Sequence, residues 1–360
     1  MAGEARATGL TGSTRVCDRI PAGGGYLPQP MDTYQLDVVV TRGPILESRH
    51  RVHAAVWEAN TGLIGSARDP FLQCPWRSCA KPFQVMPFLE TGGFDELVWG
   101  DEELALSCAS HGGEPEHVEV ASRMLQSIGL EEGDLACGPH EPLSRRGARL
   151  VRESGLPPTR LHNNCSGKHA AMLARAHLSG WPTHAYEREG HPVQAAVLDA
   201  VSTWTGVPSD KITRGVDGCG VVVFGLPLAH MARAWAMLAA AARRGDEIPA
   251  RIARAIRTRP HVFAGTDRFD SMVVEETGGN VIPKIGAEGV HSVAILDRGL
   301  GLAVKAEDGA SRAQHAGVLR LLQLLGVFSE TLPPRLAEYL RPKVKNTRGE
   351  VVGEVRPVDG

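Results

Sequence analysis

Ser78 and Lys81 stand three residues apart directly ahead of an apolar run holding Phe83, Val85, Met86, Phe88 and Leu89. That spacing puts both side chains on one face of a helix's first turn, and the run behind them requires the helix to be partly buried. A helix entering the core with a hydroxyl and an amine at its mouth constrains the rest of the chain. Other elements must cover its apolar face and supply partners for two polar groups.

The chain is long enough to supply that cover. Its 360 residues allow a large core, in two lobes or in one large domain. Leu36–Val40, a turn at Gly43-Pro44 and Ile45–Glu58 read as strands, and Asn60-Thr61-Gly62 reads as a hairpin turn. Helices are predicted over Asp101–Cys108, from Pro115 to about Ile128, over Lys168–Leu178, from Pro192 to about Trp204, and after Pro227. Val281–Gly286, Val293–Asp297 and Leu300–Lys305 return to strand, with a turn at Asp297-Arg298-Gly299. A closing helix spans Ser311–Leu325, and Val344–Pro357 reads as a polar hairpin. Strands at both ends around a helical middle give an α+β class, with an antiparallel sheet, flanking helices and a helical region, and not a doubly wound sheet.

Residues 1–35 form an expected flexible N-terminal extension, with residues 36–360 as the catalytic domain. The first thirty lack a continuous apolar h-region and a small-residue cleavage site, so export is not expected and a cytoplasmic location is. No stretch is long and apolar enough for a membrane span. Charge is balanced at 39 Lys+Arg against 41 Asp+Glu, with no basic block to track a phosphate backbone, so nucleic acid is not an expected partner. Seven scattered cysteines point to reduced thiols available for metal or chemistry.

Three features carry potential chemistry. Ser78-x-x-Lys81 is a nucleophile and base at helical spacing, and a lysine serves as base where burial or nearby cations keep its amine neutral. Ser110, in CASHGGE, ends a helix in a glycine-rich turn whose N–H groups can face an anion. Lys284 lies on a late strand in KIG. Serine acyl enzymes of the penicillin-recognising kind use S-x-x-K, a second serine element and K-T-G in this order. Here S-D-N is absent and isoleucine replaces the threonine, which weakens a β-lactamase reading while leaving acyl transfer intact. Cys165 and Lys168 stand three apart at a loop-to-helix junction, and Cys219 sits between glycines. Spacing alone does not select zinc over buried free thiols, because no C-x-x-C repeat accompanies them.

RSCAKPFQ, CASHGGE, HNNCSGKHAAML, VDGCG and KIGAEGV, in this order, resemble the rhizobial-type, thermolabile L-asparaginase II family from about Leu36 onward. The resemblance implies a fold like serine β-lactamases and glutaminases, hydrolysis of L-asparagine to L-aspartate and ammonia, and a homodimer. It also implies two Ser-Lys tandems, Ser78 with Lys81 and Ser110 with Lys284, and a Zn²⁺ site of Cys165, Lys168 and Cys219. Arg77, His169 and Asp217 are the expected partners of the substrate's α-carboxylate and α-amine. Either serine can be the attacker; the glycine turn favours Ser110, and S-x-x-K chemistry favours Ser78. A β-lactam or peptide-amide hydrolase and a catalytically silent zinc-stabilised binding protein are the alternatives.

Overall fold

The computed structural model describes residues 31–358. Residues 1–30, most of the expected extension, lie outside the described residues, and Asp32–Thr33 is already a strand. With strands numbered in chain order, the central six-stranded sheet runs β1 (Asp32–Thr33), β5 (Gly62–Ala67), β4 (Val52–Glu58), β11 (Leu300–Ala306), β10 (Val290–Ile295) and β9 (Val281–Ile285). All its pairings are antiparallel except β1 with β5. A four-stranded sheet joins β12 (Lys343–Lys345), β13 (Val351–Pro357), β2 (Val38–Arg42) and β3 (Ile45–His50). A small third sheet joins β6 (Gln73–Pro75), β8 (Val222–Pro227) and β7 (Thr213–Val216).

Period-two alternation explains the layering. On β4, β10 and β11, Ala55, Ala294 and Ala303 face one core, while Val52, Val56, Val293, Leu302 and Val304 face the other. The first core takes the helix Leu228–Arg244, which lies on β11, together with the helical middle of the chain. The second takes the helix Ser311–Leu324. The layout is α+β, and the helical middle shares one continuous core with a face of the central sheet. Ile45–Glu58 is not one strand. It breaks at Arg51 into β3 and β4, which serve different sheets. No helix among the described residues is long and apolar enough to cross a membrane.

Candidate active site

Ser78 sits in a 3₁₀ turn, Arg77–Ala80, that leads into the helix Lys81–Glu90. The turn is pinned against β9 and β10. The Trp76 indole N–H donates to Ser292 Oγ at 3.2 Å, and the Cys79 thiol donates to the Lys284 carbonyl at 3.0 Å. Ser292 lies opposite Lys284 in the β9–β10 register, so the same contacts that seat the Lys81 helix also fix the Lys284 strand. Arg77 holds φ at 51°, in the left-handed region uncommon for a residue with a side chain.

The two lysines converge on Ser110, two residues past the helix Asp101–Cys108. Lys284 Nζ lies 2.7 Å from Ser110 Oγ and Lys81 Nζ lies 3.2 Å from it. Lys81 also donates to the Ala109 carbonyl and, at 3.1 Å, to the Asn164 carbonyl. Lys284 donates to the Ile285 carbonyl at 3.0 Å. All three side chains are buried. Burial and then the nearby Lys81 charge pull the Lys284 ammonium down to about 7, against the opposing pull of Asp270. No hydrogen bond joins Ser78 to Lys81, so the sequence spacing does not become a hydrogen-bonded pair; Lys81 reaches Ser110 instead.

The turn after Ser110 is held by two histidines. Gly113 N–H donates to His111 Nδ1 at 3.1 Å and Glu114 N–H to His117 Nδ1 at 2.9 Å. These donors are consumed inside the turn and cannot face a substrate oxygen. His111 Nδ1 accepts, so the network puts its proton on Nε2, 2.9 Å from Ser166 Oγ. Burial holds the His111 ring neutral, well below its ordinary range. Gly113 has φ +68°, and a Cβ there would stand 2.9 Å from Pro142 Cβ.

Beside this centre lies the sulfur cluster. Cys165 caps the helix Ser166–Leu178, and its N–H donates to Asn163 Oδ1 at 2.9 Å. Lys168, one turn in, places Nζ 3.1 Å from Cys219 Sγ. The neighbouring Cys165 thiol, followed by the Lys168 charge, overcomes burial and lowers the Cys219 thiol to about 4. The nearby Cys219 and burial raise Cys165 to about 12. Two sulfurs and an amine thus meet in one place, a donor set that suits Zn²⁺. Because no three His, Cys, Asp or Glu side chains cluster suitably among the described residues, a metal here requires the lysine as its third ligand. Cys137 stands close enough for Cys165 and Cys219 to influence its thiol, a neighbour that one sequence with a lone Ala-Cys-Gly gave no means of finding. The six described cysteines are free and buried.

Arg77 and Asp217 join the two centres. Arg77 Nε donates to Asp217 Oδ1 at 2.7 Å, and Gly218 N–H donates to the same oxygen at 2.7 Å. Asp217 is held below its ordinary range: burial opposes this, and the Lys168 and Arg77 charges outweigh it. His169 is fully buried. The Tyr186 hydroxyl accepts from Ala136 N–H at 2.9 Å and lies 2.6 Å from His169 Nδ1, to which it donates. That arrangement puts the His169 proton on Nε2, which has no hydrogen-bond partner.

Solved structures are similar to this chain at low sequence identity. The solved structures include Mglu in its glutamate form (13% identity, 79% of this chain and 63% of that one, TM-score 0.44). They also include Mglu in its native form (14%, 84% and 71%, 0.43). A third is a candidate beta-lactamase from Bacteroides dorei DSM 17855 (11%, 76% and 94%, 0.39). The chain therefore spans less than two thirds of the length of the first of these. No curated protein matches significantly. The L-asparaginase II family model matches residues 38–357, which include both lysines, both serines and the sulfur cluster, and the chain belongs to the L-asparaginase II family.

Proposed function

We propose that this protein hydrolyses L-asparagine to L-aspartate and ammonia, with Ser110 as nucleophile and Lys284 as its base. The observation that carries the reading is Ser110 Oγ held at 2.7 and 3.2 Å between two buried lysine amines, one of them drawn down to about 7. A neutral Lys284 Nζ takes the hydroxyl proton as Oγ adds to the side-chain amide carbon. The lysine then gives that proton to the departing nitrogen as the C–N bond breaks and ammonia leaves. Water, deprotonated by the same amine, adds to the acyl carbon, and Lys284 returns that proton to Ser110 Oγ as the ester C–O bond breaks and aspartate leaves. Lys81 remains beside Oγ as a donor that favours the developing oxyanion.

The flanking charges suit an α-amino acid. The Arg77 guanidinium complements an α-carboxylate, and the Asp217 carboxylate complements an α-ammonium. His169 Nε2–H is a further buried donor. Cys165, Lys168 and Cys219 would hold Zn²⁺, which supplies Lewis acidity and fixes the pocket wall when bound.

The test is ammonia release from L-asparagine and L-glutamine by wild type, Ser110→Ala and Ser78→Ala. Asparagine-selective release is expected, lost by about 10³-fold or more in Ser110→Ala. Near-normal turnover by Ser110→Ala with loss in Ser78→Ala would transfer the nucleophile's role to Ser78. Release from neither amide by the folded, zinc-loaded protein would remove the hydrolase reading.

A further inference from the structure

We propose that Asp270, backed by His291, is a positioning residue that sets both the aim and the charge of Lys284. The inference rests on the amidohydrolase reading of the Ser110 centre. Asp270 projects from the helix Phe269–Glu276 and is 2% exposed. Its Oδ2 accepts the Ile285 N–H at 2.8 Å, gripping β9 at the peptide that follows Lys284. Its Oδ1 lies 3.1 Å from His291 Nε2, at ion-pair distance but outside hydrogen-bond geometry. His291 sits opposite Ile285 in the β9–β10 register, one residue before Ser292, which faces Lys284 and receives the Trp76 indole N–H.

The cost of this arrangement is informative. Burying a carboxylate is expensive unless charge and hydrogen bonds compensate it. Among the described ion pairs, this is the one in which both side chains are nearly inaccessible, at 0% and 3% exposure. Every other described ion pair keeps at least one partner in contact with solvent. A buried carboxylate one peptide away from the lysine that contacts Ser110 acts on that lysine through low-dielectric surroundings.

The neighbours of Lys284 set the direction. Lys81 and Cys79 face it from the start of the Lys81 helix, Cys108 and Ser110 from the turn, Cys165 from the sulfur loop and Asp270 from its own helix. Burial and Lys81 drive the proton off, while Asp270 holds it on. Asp270 is itself faced by His291 and Lys284 and accepts the Ile285 N–H, and together these outweigh burial and keep it ionised. His315 adds no charge: burial, then His291, lowers it to about 3. Arg268 and Tyr339 complete the surroundings. Asp270 therefore tethers the strand and keeps Lys284 basic enough to remove a hydroxyl proton.

Asp270→Asn separates the two roles, because the amide oxygen can still accept from Ile285 N–H while the charge is gone. The direct readout is the titration of lysine ¹³Cε signals by NMR, with the Lys284 resonance assigned by its loss in Lys284→Met. The Lys284 midpoint is expected to fall by about one pH unit in Asp270→Asn. The acid limb of kcat/KM for asparagine should fall with it, and kcat at the optimum should drop. The double variant Asp270→Asn with His291→Gln removes the pair as a unit, leaves no lone buried charge, and should show the same displacement. A purely structural Asp270 would lower thermal stability and leave both midpoints where they are, and that result would overturn the inference. A displaced midpoint in protein that releases no ammonia from asparagine would uphold the positioning role and remove the hydrolase reading instead.

Discussion

Lys284 has no carboxylate within ion-pair distance among the described residues, so burial first and Lys81 second draw its amine down, and the more distant Asp270 opposes them. As a base it works only when neutral, so kcat/KM for asparagine should rise with pH through about 7, the value to which the amine is drawn down. Lys81→Met removes the second cause. The acid limb should then move up by about one unit, and turnover should fall because Ser110 loses a donor. An unmoved limb in a kcat/KM profile over pH 5.5–9 would show that Lys284 is not the titrating base. At this scale the residues themselves singled out Ser78 with Lys81, the Ser110 turn and Lys284, and the family resemblance added their pairing as two tandems and the Cys165–Lys168–Cys219 set. The structure directs Lys81 to Ser110. Asp270, His291 and Cys137 gave no sign in the sequence, since the links between helix and strand that make them matter are tertiary.

The helix Leu228–Arg244 and strand β11 approach more closely than side chains allow, and Gly301 makes this possible. Gly301 pairs with Ala294 on one side and Trp57 on the other. A Cβ on it would stand 2.0 Å from the Ala232 carbonyl oxygen and 2.2 Å from the Ala236 nitrogen. Those atoms are helix backbone and cannot swing aside, so Gly301→Ala should force the helix off the sheet and destabilise the fold by about 3 kcal/mol. Urea unfolding checks this; a midpoint unchanged from wild type would show that the helix can slide without cost. Element types were largely readable because their hydrophobic periods are clean: Pro115–Gln126, Pro192–Thr205 and Ser311–Leu324 lie close to their expected ranges. The break at Arg51 was not readable. Glu47–Arg51 is a polar run with no Gly or Pro to mark a break while the chain passes from one sheet to another, and only pairing partners reveal the change.

Across the whole molecule, several buried carboxylates tie distant segments together, and their protonation should set the acid limit of the fold. Asp37 receives the Val52 N–H at 3.2 Å and the Arg68 guanidinium, with Nε at 2.7 Å. Glu103 holds the Gly100 N–H at 2.9 Å and Arg123 at 2.8 Å. Glu114 accepts from Thr266 N–H at 3.0 Å, across 152 residues, and from Arg146 at 2.9 Å. In each case burial works against the charged form and is outweighed by these donors, so the folded carboxyl titrates below its ordinary range. Because the unfolded chain then binds protons more readily, the stabilisation is complete above the unfolded carboxyl value of about 4. It is lost as pH falls through the lower folded values. Thermal unfolding followed by circular dichroism from pH 7 to 3 should show a midpoint that holds steady and then drops below about pH 4.5. Glu114→Gln should lower the neutral-pH midpoint and flatten part of the acid drop, since one of the groups being protonated is gone. A wild-type midpoint constant down to pH 3 would mean that these bonds contribute little to holding the segments together, leaving the two apolar cores on either side of the central sheet to carry the fold alone.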